Sequence, residues 1–70
     1  MTATIATTER FDFSYNSEAW RFVREMEAAG RKVGHPSQTP YSYKVVASVP
    51  ADSLADVRAL AGKYNGVFCG

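Results

Sequence analysis

Phe11, Phe13 and Tyr15 alternate with Asp12 and Ser14, and Tyr41, Tyr43 and Val45 alternate in the same way with Ser42 and Lys44. Successive side chains of a strand point to opposite faces, so each segment offers one aromatic face and one polar face. Two such segments predict a sheet with a single buried side. Orienting that sheet the other way round would bury Arg10, Asp12 and Lys44. Burying several unpaired charges costs several kcal/mol each, more than the roughly 3–5 kcal/mol net that a core of this size supplies. The aromatic residues are therefore expected to point inward, against helices. Arg10, Asp12, Ser14, Ser42, Lys44, Val46 and Ser48 are expected on the open face.

At 70 residues the chain is predicted to be one domain, residues 1–70. A chain this small buries only about 60% of its unfolded surface. Cys69 is the only cysteine and His35 the only histidine, which excludes an internal disulfide and leaves too few ligands for a structural zinc site. No metal or cofactor is expected. Stability must come from close packing or from self-association, so a homodimer is one of the expected partnerships. Lys and Arg total 8 against 7 Asp and Glu, for a net charge of +1. So even a balance implies no long-range pull on phosphate, and nucleic acid is not expected as a direct ligand. No apolar run approaches the roughly 18 residues of a membrane span, and Met1 to Thr8 lack the basic start and apolar stretch of a secretory signal. A soluble, cytoplasmic protein is expected, with no membrane partner.

Local patterns divide the chain into alternating elements. A first strand is predicted from about Glu9 to Tyr15, with residues 2–8 either frayed or extending it. Asn16-Ser17 reads as an N-cap pair. Ala19, Phe22, Val23 and Met26 then recur at i, i+3, i+4 and i+7, which predicts a helix from about Glu18 to Ala29. Arg21 with Glu25 and Glu27 with Arg31 have the spacing of ion pairs along that helix, and Gly30 is its expected left-handed terminator. Residues 31–35 read as a short second strand and Pro36 to Pro40 as a turn. Tyr41 to Val49 is the clearest strand, ended by Pro50. Ser53 with Asp56 has a capping-box spacing, ahead of a second helix with Leu54, Val57, Leu60, Ala61 and Tyr64 on one stripe. Gly62 either ends that helix early or makes room for a close contact. Asn65-Gly66 closes it, and Val67-Phe68-Cys69 forms a last strand.

The order β-α-(β)-β-α-β resembles the ferredoxin-like, split βαβ arrangement, in which two helices cover one face of an antiparallel sheet. Without the second strand, at residues 31–35, the sheet has three strands. The resemblance lies in topology and carries no family motif. It brings several functional classes with it. RNA-recognition folds of this shape stack bases on aromatics of the open sheet face. Here the parity of the charged residues turns those aromatics inward, and the glycine-aromatic strand motif is missing. ACT-like regulatory domains bind small metabolites as dimers, and would use Tyr15-Asn16-Ser17 and the Gly34–Pro40 loop. Small dimeric enzymes of this topology would rely on His35, with Tyr41, Tyr43 or Asp12 as the nearest hydrogen-bond partners.

The glycines are scattered and form no phosphate loop. Cys69, next to last in a terminal strand, is expected to be a half-buried packing thiol without a base. The leading expectation is a non-enzymatic protein-binding module, an adaptor or inhibitor that occupies a surface of a larger partner. A phage-type inhibitor of a host nucleic-acid-processing complex, such as an anti-CRISPR, is one concrete version. Trp and Arg are over-represented at interface hot spots. The candidate contact residues are accordingly Trp20, Arg21, Arg24 and Arg31 on and beyond the first helix, Lys32, His35 and Tyr41 in the segment that follows, and Arg10, Asp12 and Lys44 on the open sheet face.

Overall fold

A computed structural model describes residues 5–69. Strand β1 runs Ala6–Phe13, helix α1 Asn16–Ala28, strand β2 Lys32–Val33, strand β3 Ser37–Gln38 and strand β4 Tyr43–Pro50. A 3₁₀ turn at Ala51–Ser53 leads into helix α2, Leu54–Lys63, and strand β5 is Val67–Phe68. The sheet is antiparallel with the order β2-β4-β1-β5, and β3 also pairs with β4. The architecture is thus a small α+β unit with two helices and an antiparallel sheet. A ferredoxin-like sheet has four strands; this one has five.

Parity orients the central strands as the alternation predicts. β1 and β4 pair along their whole length, with Phe11 opposite Val45, Phe13 opposite Tyr43 and Glu9 opposite Ala47. Phe11, Phe13, Val45, Ala47 and Val49 are buried. Ala19, Phe22, Val23 and Met26 of α1 and Val57 and Ala61 of α2 meet them in one core. Phe22 is the hub, its ring centroid 5.3 Å from that of Phe11 and 5.1 Å from that of Phe13. Leu54, Leu60 and Tyr64 lie half-buried at its margin, as the α2 stripe predicts.

Several boundaries differ from the sequence reading. β1 begins at Ala6, so the Thr-rich start extends the strand, while residues 2–4 lie outside the described region. Tyr15 leaves the strand, becomes the N-cap of α1 and is exposed. Asn16 and Ser17 lie inside α1, and no side chain caps it. Ser53 likewise makes no side-chain cap on α2; its hydroxyl turns to Asp52. Tyr41 is excluded from β4. Thr39 N–H donates to Ser42 C=O at 2.8 Å, and Ser42 N–H donates to the Thr39 hydroxyl at 2.9 Å. This closes a turn with Pro40 and Tyr41 at its tip, where Tyr41 is 97% exposed. The inward direction predicted for Tyr41 and Tyr15 fails because both stand beyond the strand ends, where alternation no longer applies. Glu25 pairs with Lys63 of α2 at 3.6 Å, where the helical spacing predicted Arg21.

Both helices end in the same motif. Gly30 (φ 76°) follows α1, its N–H donating to Glu27 C=O and that of Arg31 to Met26 C=O. Asn65 (φ 62°) follows α2, with its N–H on Gly62 C=O and that of Gly66 on Ala61 C=O. These are Schellman closures, which satisfy the last carbonyls of each helix.

The expected turn at residues 36–40 contains a strand. Val33 pairs with Ala47 and Ser37 with Lys44, so three residues of one strand face two of the other. Gly34 N–H still reaches Val46 C=O at 2.8 Å. The extra residue therefore falls at His35-Pro36. Pro36 has no N–H to give the ladder, which makes this the natural place for a bulge.

Candidate functional site

The bulge swings His35 out of the sheet edge toward α1. Trp20 lies one position off the apolar stripe of α1, half-buried at the margin of the core. The two rings meet with centroids 5.0 Å apart and planes inclined at 44°. An exposed imidazole and a partly exposed indole thus form one aromatic step between helix and sheet edge. Arg24 is exposed one helical turn beyond Trp20, and Arg21 is exposed beside it. His35 meets Trp20, and none of Tyr41, Tyr43 or Asp12 hydrogen-bonds it among the described residues. No base-and-nucleophile pair is assembled around His35 there.

A second group occupies the open sheet face. Arg10 and Asp12 sit two apart on β1, with Arg10 Nε 3.2 Å from Asp12 Oδ1 and the far guanidinium nitrogen 3.4 Å from Oδ2. Lys44 lies directly across from Asp12 on β4. Cys69 N–H donates to Arg10 C=O at 2.9 Å, which fixes its thiol beside the pair, and Sγ–H donates to Asp12 Oδ2 at 3.2 Å. Partial burial pushes the Asp12 carboxyl up. The Cys69 hydrogen bond, the Arg10 guanidinium and Lys44 together outweigh it and hold the group below its ordinary value. Cys69 moves the other way. Its hydrogen bond to Asp12 raises the thiol first, then burial, then the carboxylate charge. A thiolate there would lose its acceptor and face an anion.

Cys69 is exposed, not the half-buried packing thiol expected from its position. Exposure alone would suggest a reactive group, but reactivity belongs to the thiolate. Alkylation of Cys69 by iodoacetamide at pH 7.5 is expected to run slower than that of a free cysteine. Asp12→Asn, which removes the charge but keeps an acceptor, should speed it. Equal rates in the two proteins would show that the contact has no hold on the thiol.

The remaining candidates divide between these regions. Lys32 pairs with Ser48 and so shares the open face with Lys44 and Arg10. Arg31 and Lys32, with Ser48 and Pro50, line an open hollow of about 410 Å³ at one end of the sheet. Tyr41 stands exposed at its hairpin tip. The structure thus brings together Trp20 and His35, and separately Arg10, Asp12 and Lys44, but does not gather all ten candidates on one surface.

Glu9 escaped the parity argument. It is an acid on the core face, opposite Ala47 and only 8% exposed. Its Oε1 accepts a hydrogen bond of 2.6 Å from the Thr7 hydroxyl on the same face. The i, i+2 spacing of Thr7 and Glu9 is the one signal that could have revealed the pair.

Comparison with known proteins finds no matching family model, no curated relative and no similar solved structure.

Proposed function

We propose that the chain is a small, non-enzymatic protein-binding module that acts by occupying a surface of a larger partner. The Trp20–His35 step carries this reading. A tryptophan fully enclosed by the core would be explained by packing. This one is only half-buried and is extended outward by an exposed imidazole, with Arg21 and Arg24 exposed on the same helix. Aromatic anchors flanked by arginines are what interface hot spots are made of. His35 already rests against Trp20 before any partner docks, so part of the contact is preorganised.

We also propose that the module is built on a ferredoxin-like sheet. Taken as a single bulged edge strand, β2 and β3 leave a four-stranded sheet in ferredoxin-like order. A partner inside the cytoplasm suits an unpaired Cys69, since thiols stay reduced there. An inhibitor of a host nucleic-acid-processing complex, the anti-CRISPR type included, is one form such a module takes.

The test is affinity capture with the tagged chain from a lysate of its native host, run beside Trp20→Ala and His35→Ala. A co-purifying protein in stoichiometric amount is expected, reduced at least tenfold by Trp20→Ala in a variant that keeps its far-UV circular dichroism. The losses should not add, because the two rings form one contact. Equal capture by wild type and both folded variants would remove the step from the reading.

A further inference from the structure

The two edges of the sheet are defended unequally. The β2–β3 edge carries a bulge, Pro36 and Lys32, three devices that discourage further strand pairing. The other edge is β5, which covers β1 only at Phe11 and Asp12, with Cys69 adding a bond at Arg10. From Ile5 to Glu9 no described strand lies on that side of β1.

The phase of the ladder shows which groups are left open. In an antiparallel strand, N–H and C=O of one residue point the same way, and alternate residues point to opposite sides. Arg10 C=O faces β5, where it accepts from Cys69, whereas Ile5 C=O accepts from Ala51 on the β4 side. Ala6 and Thr8 share the phase of Arg10. Their N–H and C=O groups therefore point outward with no strand opposite among the described residues. Ile5, at the start of this stretch, is 76% exposed. Ala6, Thr7 and Thr8 carry no proline, no charge and no bulge.

We propose that this edge of β1 pairs with the same edge of a second copy, antiparallel, about a two-fold axis through Thr7. The register follows from the phase. Ala6 meets Thr8 of the copy in two hydrogen-bonded pairs, and Thr7 meets its own image. Ile5 comes to lie beside Glu9 of the copy, and among the described residues Cys69, already opposite Arg10, ends the run. No like charges oppose each other, and threonine pairs are favourable across strands. A perpendicular two-fold keeps the helices of both copies on one side of a continuous sheet. Residues 5–9 make a contact well below the roughly 1,200 Å² of a stable interface, so the dimer is weak and concentration-dependent. The pairing stands apart from the Trp20–His35 step and holds or fails independently of it.

Thr8→Pro tests it. Proline removes the outward N–H, and the internal ladder to β4 does not use that group. Sedimentation velocity between about 10 µM and 1 mM should show the wild type passing from monomer toward dimer, a range set by a contact at the low end of interface size. Thr8→Pro should stay monomeric across that range with unchanged circular dichroism. Thr7→Pro should unfold, because its N–H belongs to the β1–β4 ladder. Should Thr8→Pro itself fail to fold, Thr8→Lys places a charge on the same edge and decides the matter in its stead. A wild type that stays monomeric at the top concentration, or a folded Thr8 variant that dimerises as the wild type does, overturns the proposal.

Discussion

Phe22→Ala is expected to leave most of the chain unfolded at 25 °C. Phe22 is fully buried and is the one ring in contact with both Phe11 and Phe13. Truncating a buried phenylalanine costs about 3–5 kcal/mol, from lost transfer energy and the cavity left behind. That matches the roughly 3–5 kcal/mol that a core of this size supplies in total. The sheet and α1 cannot close over the gap, because β1 and β4 are paired over their full length. Urea titration followed by Trp20 fluorescence measures the effect. A cooperative transition that loses less than about 1 kcal/mol would show that the core collapses around the cavity more readily than this rigid pairing allows. Phe68→Ala is the natural comparison. Its ring also touches Phe11, at 5.4 Å, but it is half-exposed beneath Arg58 and should cost less.

Gly66→Ala is expected to be the next most damaging change, at about 2–3 kcal/mol, in the range for overpacking a core. A Cβ at residue 66 would lie 2.5 Å from Phe13 Cε2, 2.7 Å from Cζ and 3.0 Å from Ala61 C=O. None of these can retreat. The Phe13 ring is 1% exposed and wedged against Phe22, and Ala61 C=O already accepts the Gly66 N–H at 2.7 Å. Gly62→Ala should do the reverse. A Cβ there meets nothing within 4 Å, and the residue is exposed inside α2. The methyl group would restrict the unfolded chain and favour the helix by about 0.5–1 kcal/mol. Gly62 thus neither ends α2 early nor makes room for a contact, which were the two explanations its sequence context offered. Thermal melts of the two variants should shift in opposite directions. A shift in the same direction would mean that the backbone, not the space around the Cβ, sets both effects.

What could be read beforehand follows one rule: features with a fixed period were legible, and features that depend on a distant partner were not. Phe11, Phe13, Val45 and Val49 turn inward because a strand has period 2. Phe22, Val23 and Met26 do so because a helix has period 3.6. Tyr41 continued the alternation of its strand on paper, yet Thr39 and Ser42 closed the turn before it. Asn16, Ser17 and Ser53 have the chemistry of caps, but nothing in the order of residues says whether their hydroxyls and amides will reach the first turn. The bulge at His35-Pro36 depends on counting residues against β4, a strand not yet formed when 31–40 are read alone. The Trp20–His35 contact depends in turn on that bulge. Cys69 and Asp12 stand 57 positions apart, and only the return of β5 to β1 brings thiol and carboxylate together.

The Gly66 N–H that completes the end of α2 is also the atom through which an Asn-Gly pair ages. In a disordered chain that nitrogen attacks the side-chain amide carbon of the asparagine and expels ammonia. The cyclic imide left behind is opened by water to aspartate or isoaspartate. In the folded protein the nitrogen is held on Ala61 C=O at 2.7 Å, and the Asn65 amide is held on Glu18 Oε2 at 2.6 Å. Neither reactant is free to meet the other. Deamidation is thereby confined to molecules whose α2 end has come open, and the chemical lifetime of Asn65 becomes a clock for how often that end frays.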